Sequence, residues 1–255
     1  MYQLSGVKVI RGERTILDIE ALSIDPHALT VVLGHNGSGK STLVNLLANQ
    51  FAPESGQVKL DGKALSSFTP KQLAQTVAYL PQKLPEVAGL NVTELVRLGR
   101  FPWRGTLGRW RKEDSDIIND AMRETGVEQF KDTLADQLSG GERQRTWVAM
   151  LLAQQADLLI LDEPTSALDI QHQYQLMELL SELNKNTGKG VIVILHDLNL
   201  ALRYATHTVA LKSGKVAFQG KVDLLQDEQL LSDLYSTPVK LIDHPEQDHK
   251  VAVVC

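Results

Sequence analysis

A single cysteine, Cys255, closes the 255-residue sequence. An internal disulfide framework and a cysteine-built zinc site are therefore excluded, and a reducing compartment fits. No apolar stretch approaches the ~18 residues that a membrane-crossing helix needs. Residues 1–30 lack the basic start and apolar centre of a secretion signal. A basic excess is missing too: 26 Lys+Arg against 31 Asp+Glu leave a net charge of −5, which argues against a protein built to clamp duplex nucleic acid. Aromatic residues make up only 5% of the chain, so Trp103 and Trp110, close together, stand out. These absences predict a soluble protein of the cytoplasm with no membrane span of its own.

What is present divides into three stretches. Residues 1–33 read as strands. Val7, Val9, Ile16, Ile19 and Leu22 sit in short β-branched runs, and Leu29 to Leu33 is a compact apolar run that stops at Gly34. Leu43, Leu46 and Leu47 recur at helical spacing between Lys40 and Asn49, so a glycine-rich loop lies between a strand and a helix. From 91 to 154 the pattern is mostly helical. Asn91 with Glu94 suits a helix start, Ile117, Ile118, Ala121 and Met122 mark one face, and Gly126 is placed to end it. Leu98 to Trp110 reads as a linker that holds Pro102, two tryptophans and several arginines. Two readings of it stand, a contact surface or rings packed onto their own subdomain. From Asp157 onward strands and helices alternate. Leu158–Leu161 and Val191–Leu195 are continuous apolar runs, as in strands covered on both faces. Leu176, Met177, Leu179, Leu180 and Leu183 form a core stripe between them. Such alternation predicts an α/β fold with a mainly parallel sheet.

Three motifs carry chemistry. Gly34-His35-Asn36-Gly37-Ser38-Gly39-Lys40-Ser41, followed by Thr42, matches GxxxxGK[ST] in full. Its glycines let backbone N–H groups converge on phosphate oxygens, and the following helix adds a favourable dipole. Lys40 supplies a point charge to the β- and γ-phosphates, and the Ser41 hydroxyl can ligate Mg²⁺. The run Leu158–Leu161 ends in Asp162 and Glu163, which places two carboxylates at the sheet edge where α/β folds bind ligands. Asp162 is expected to hold the metal and Glu163 to polarise the attacking water. The third motif is Leu138-Ser139-Gly140-Gly141-Glu142-Arg143-Gln144-Arg145. Ser139 with Glu142 makes a capping box, but capping needs neither glycine, whereas a phosphate approaching the backbone does. A second anion site makes sense if it takes the γ-phosphate held by another subunit.

On these motifs the whole chain resembles the ATP-binding-cassette ATPases, with LSGGERQR similar to their signature. The resemblance implies a P-loop NTPase (RecA-like) core with a mainly parallel sheet, an N-terminal antiparallel β portion and an inserted helical subdomain. The chain would be one ATPase domain, with its core over 1–82 and 155–255 and its helical subdomain over 83–154. Further roles follow from the resemblance. Gln82, in Tyr79-Leu80-Pro81-Gln82, matches the glutamine that touches Mg²⁺ and links the two subdomains. Asp169, in Ser166-Ala167-Leu168-Asp169, matches the loop that reaches across the dimer with Ser139, Gly140 and Gly141. His196 matches the histidine that contacts the γ-phosphate. In many members an aromatic residue stacks on adenine; that register here holds Arg11, whose guanidinium plane can also stack on a base.

Leu98-Gly99-Arg100-Phe101-Pro102-Trp103 with Gly105 and Gly108, and Leu168-Asp169-Ile170-Gln171-His172-Gln173, are similar to ATPases of iron-siderophore and cobalamin importers, and the GHNGSGKST, YLPQ, GRFPW and LSGGERQR segments together are most similar to those of ferric hydroxamate import. That resemblance implies ATP and Mg²⁺ as cofactors and a homodimer on the cytoplasmic face of a bacterial inner membrane. It also implies separate permease subunits, met through Phe101, Pro102, Trp103 and Arg104, and indirectly a substrate-binding protein. Import of cobalamin or haem is the alternative within the branch. A soluble ATPase of DNA repair or translation is the alternative outside it. Such proteins usually carry long coiled-coil insertions or two cassettes with a basic surface, and this chain has one cassette, no heptad run and a charge of −5.

Overall fold

Alternating burial along the first residues builds the first layer. In β1 (Tyr2–Arg11) and β2 (Arg14–Ile24), Leu4, Val7, Val9, Leu17, Ile19 and Leu22 turn inward while most of their neighbours are exposed. β1 pairs antiparallel with β2 and with β4 (Ser55–Leu60), and β5 (Lys63–Ala64) completes a four-stranded sheet, β2-β1-β4-β5. The computed structural model of the chain describes residues 1–104, 109–246 and 249–255. Gly105 and Gly108 lie outside them.

The second sheet has six strands in the order β10-β9-β3-β8-β7-β6. β3 (Leu29–Leu33), β6 (Val77–Leu80), β7 (Leu158–Leu161), β8 (Gly190–Ile194) and β9 (His207–Lys212) run parallel, and β10 (Lys215–Lys221) is antiparallel to β9. Every residue of β3, β7 and β8 is buried, because both faces are covered. Val31 and Val193 face one core cluster and Val32 and Ile194 the other. A short hairpin of β11 (Val239–Asp243) and β12 (Lys250–Val254) ends the chain.

The helices are α1 (Lys40–Leu47), α2 (Pro70–Thr76), α3 (Val92–Arg97), α4 (Phe101–Arg104), α5 (Lys112–Glu124), α6 (Gly140–Ala153), α7 (Ile170–Thr187), α8 (Leu198–Tyr204) and α9 (Glu228–Tyr235). α1 packs between the two sheets, whereas α6 to α9 cover the other face of the parallel one. Asn91 and Glu94 form the expected capping box, and α5 ends beside Gly126 at φ 65°. α3, α5 and α6 share a small core of Val92, Val96, Ile118, Met122 and Ala149. α6 also sends Trp147, Val148 and Leu151 into the main core, so one helix belongs to both.

The stretch expected to be a linker is partly helical. Leu98–Arg100 forms a 3₁₀ turn that leads into α4. Two features fix it. Gly99 lies so close to α6 that a Cβ there would meet the Met150 carbonyl oxygen at 2.2 Å. Arg100 is buried and donates through Nε to Asp114 Oδ1 at 2.9 Å and through its guanidinium to the Ala153 carbonyl at 2.9 Å. Arg104 reaches the same carboxylate at 3.5 Å. Burial alone would raise the Asp114 pKa, but the Arg100 hydrogen bond and the nearby charges hold it below the usual carboxylate range. Arg100→Ala should therefore destabilise the protein by about 3 kcal/mol in urea unfolding, since it leaves a buried carboxylate half-paired. A paired replacement, Arg100→Met with Asp114→Leu, should recover most of that loss.

Candidate functional site

The site begins where β3 ends. Gly34 has φ 142°, and a Cβ there would meet the Leu211 carbonyl oxygen at 2.3 Å. Only glycine fits that approach. The chain then winds through Gly37 and Gly39, both at positive φ, into the N-terminus of α1. Lys40 is buried, and its ammonium donates to the carbonyls of Gly34 at 2.7 Å and His35 at 3.2 Å. Burial lowers its pKa, against the opposing pull of Glu163 and Asp162. Ser38 Oγ is buried without a hydrogen-bond partner among the described residues. Positive φ, converging N–H groups and a buried cation form a cradle for an anion.

Three neighbouring strands deliver the rest. The Asp162 N–H donates to the Leu80 carbonyl at 2.9 Å, which ties the end of β7 to β6. Asp162 Oδ1 accepts from Ser41 Oγ at 3.1 Å, joining the β7 carboxylate to the glycine-rich loop. Glu163 sits at φ 52°, a left-handed conformation held by Ser166, whose N–H and hydroxyl both donate to its carbonyl. Its side chain is bracketed. Gln82 Nε2, beyond β6, donates to Oε2 at 2.6 Å, and His196 Nε2, beyond β8, lies 2.6 Å from Oε1. Together with Asn36, Gly37, Gly39, Lys40, Ser41 and Thr42, the side chains of Gln82, Glu163 and His196 line an open cleft of about 390 Å³.

The cleft has an apolar wall that the sequence reading missed, Ile16 of β2. In the sequence it is marked only as an apolar residue shortly after the Gly12-Glu13 turn. Arg11, expected at the base, is not part of the cleft. Its guanidinium lies over Phe51, 4.5 Å from the ring centroid, and 3.3 Å from Glu54. His35 is exposed on the loop, with Nδ1 2.9 Å from the Asn36 carbonyl. Ser139, Gly140 and Gly141 lie outside the cleft of their own chain. Ser139 and Glu142 complete the capping box of α6, and a Cβ built on Gly140 would meet nothing within 4 Å. Asp169 caps α7 by accepting from the His172 N–H at 2.9 Å. Phe101 and Trp103 are about half-exposed, at 50% and 44%. Arg104 instead turns inward, over the Trp110 ring at 3.6 Å.

The geometry also moves the titration of Asp162. Burial pushes its pKa up to about 6, the Ser41 hydroxyl opposing and Glu163 adding to the shift. A raised carboxylate contributes stability that is full below its unfolded pKa and is lost as pH rises through the folded value. Nucleotide-free Asp162→Asn protein should therefore melt above wild type at pH 7.5, and the gap should close as the pH falls from about 7 to about 4.5. Thermal melts across that window check the sign.

The profile of the ABC transporter family matches residues 17–166. Over 234 residues, 92% of this chain and 86% of the relative, the sequence is 41% identical to the ferric enterobactin transport ATP-binding protein FepC of Escherichia coli (strain K12). Over 242 residues, 95% and 90%, it is 37% identical to the iron(3+)-hydroxamate import ATP-binding protein FhuC of Bacillus subtilis (strain 168). Its fold is similar to that of a metal-chelate type ABC transporter in an inward-facing conformation, with TM-score 0.85 at 22% identity over 100% of this chain and 97% of the other. It is also similar to the dimeric cassette MJ0796 bound to ADP and Pi, with TM-score 0.78 at 29% identity over 87% and 99%. The cleft, its motifs and these likenesses agree: the chain belongs to the ABC transporter family, as an ATPase coupled to transport.

Proposed function

We propose that the chain is the ATP-hydrolysing subunit of a siderophore importer. The carrying observation is Glu163, bracketed at 2.6 Å by Gln82 and at 2.6 Å by His196, at the mouth of a phosphate-binding loop. In the proposed reaction the loop from Gly34 to Thr42 holds the phosphates, and Lys40 balances their charge. Glu163 takes a proton from water as the water oxygen bonds to the γ-phosphorus and the bond to the bridging oxygen breaks, leaving ADP and phosphate. Gln82 and His196 fix the carboxylate in place, and His196 adds a contact to the γ-phosphate. Ser41, Asp162 and Gln82 offer the hard oxygen donors that suit Mg²⁺, which would neutralise phosphate charge when bound.

Because Ser139, Gly140 and Gly141 lie apart from the cleft of their own chain, they would close the cleft of a second copy, with Asp169 alongside. The core (1–82 and 155–255) and the helical subdomain (83–154) would then move against each other. Phe101, Pro102 and Trp103 would meet the permease, which in turn receives cargo from a substrate-binding protein. This arrangement puts the chain on the cytoplasmic face of a bacterial cell membrane. Ferric hydroxamates are the cargo to test first, on the similarity of the GHNGSGKST, YLPQ, GRFPW and LSGGERQR segments taken together.

Glu163→Gln should cut turnover by about a hundredfold or more while keeping ATP bound. Light scattering should then show an ATP-dependent dimer, which Lys40→Ala, having lost its phosphate cation, should not form. A Glu163→Gln protein that turns over ATP at the wild-type rate overturns the assignment of the base. His196→Ala should lower the turnover number while sparing ATP affinity in calorimetry, because its contact strengthens only as γ-phosphate charge redistributes. Cells that depend on the Lys40→Ala chain should fail to take up radio-iron supplied as a ferric hydroxamate.

A further inference from the structure

Arg97, Arg100, Arg104, Arg109, Arg111 and Lys112 follow one another with no aspartate or glutamate between them, in a chain whose net charge is −5. The fold uses two of these cations internally, since Arg100 and Arg104 both reach the buried Asp114 carboxylate, at 2.9 and 3.5 Å. Arg97, Arg109, Arg111 and Lys112 are exposed, and among the described residues no side-chain cation of the four forms an ion pair with a carboxylate. The exposed Glu113 is the nearest acid in sequence. Trp110 stands among these cations, 48% exposed, with the Arg104 guanidinium 3.6 Å and the Arg97 guanidinium 5.2 Å from its ring centroid. The ring is thus in contact with two guanidinium groups and still open to solvent over about half its surface.

The surface is remote from the cleft. Trp103 Nε1 donates to the Gln154 carbonyl at 2.6 Å, and the Gln154 amide donates to the carbonyls of Ala74 and Val77, at the start of β6. Gln82 lies beyond the other end of that strand. Trp103, which adjoins the patch, is therefore tied to the end of β6 opposite the one that Gln82 follows.

We infer that this surface docks on the anionic phospholipid headgroups of the bilayer, with Arg97, Arg109, Arg111 and Lys112 on the phosphates and the Trp110 ring at headgroup depth. Exposed indole flanked by arginine and lysine is the composition that settles at membrane interfaces. Each such cation near an anionic surface strengthens binding several-fold. The rest of the chain is acidic and is repelled there, so the patch also fixes orientation, keeping the cleft away from the lipid. The inference rests on the importer reading, in which the adjoining Phe101 and Trp103 meet the membrane subunit.

The test is cosedimentation of the full-length protein, without any membrane subunit, with phosphatidylglycerol–phosphatidylcholine vesicles and with pure phosphatidylcholine vesicles. Binding should require phosphatidylglycerol and should disappear at about 0.5 M salt. Arg109→Gln, Arg111→Gln and Lys112→Gln together should weaken it on the order of a hundredfold, with melting temperature and ATP hydrolysis unchanged. If the triple variant misfolds, the salt and lipid dependence of the wild type still decides. Equal binding to both vesicle types, no binding to either, or full binding by a folded triple variant overturns the inference. A triple variant that binds vesicles normally but loses its membrane subunits in copurification assigns the surface to protein contact instead. Hydrolysis in the same preparations reports separately on the ATPase reading, so active protein that ignores vesicles overturns the lipid inference alone.

Discussion

Parallel pairing among β3, β8, β7 and β6 carries the geometry of the cleft. Val32 is level with Ile194, Val193 with Leu161, and Leu161 with Leu80. The residues that follow each strand therefore emerge side by side: the glycine-rich loop, His196, the pair Asp162 and Glu163, and Gln82. A slip of one residue in any of these strands would turn its buried side chains to the wrong face. The two cores that flank the sheet, one under α1 and one under α6 to α9, make such a slip prohibitive. Burial of a single leucine or valine side chain contributes about 1.5–3 kcal/mol, and every residue of β3, β7 and β8 is buried.

That excess supports groups that are unfavourable on their own. Lys40 and Asp162 are buried charges, and each is shifted toward its neutral form. Glu163 holds a left-handed backbone that costs on the order of 1–3 kcal/mol in a non-glycine residue. Strain of this kind persists only where surrounding structure over-determines it, and here Ser166 on the backbone and Gln82 and His196 on the side chain do so. The same burial that raises the Asp162 pKa makes the charges of Asp162 and Lys40 count for more, because both lie in a medium less polarisable than bulk water.

Much of this was readable from residues close together in sequence. Capping boxes at Asn91 and Ser139 and the glycine-rich loop are decided by hydrogen bonds or φ angles within a few residues. So is the strand character of Leu158–Leu161, set by an unbroken apolar run. What escaped depends on partners far along the chain. Arg11 lies over Phe51 and beside Glu54 across the first sheet, and Ile16 lines the cleft. Leu98–Arg104 is ordered by Met150, Asp114 and Ala153, none of which local composition announces. Trp103 satisfies neither simple alternative. Its ring is about half-exposed, as a contact surface requires, yet its N–H is committed to Gln154 within the chain.

α6 is the element through which these parts act on one another. Its 14 residues span about 21 Å at the usual rise. At its first turn are Ser139, Gly140 and Gly141, with Gly141 against the Leu168 side chain. At its last turn the Ala153 carbonyl accepts Arg100, and just beyond it the Gln154 carbonyl accepts Trp103. Between the two ends its side chains enter both the main core and the small helical core. A helix anchored along its length moves as a rigid body rather than bending, so a displacement at the signature end is a displacement at the aromatic end. On the proposed function, closure of a second copy's nucleotide onto Gly140 would shift Arg100 and Trp103 directly, and with them the surface turned toward the membrane. A loop could not transmit that displacement. The continuous hydrogen-bonded helix between the two ends can.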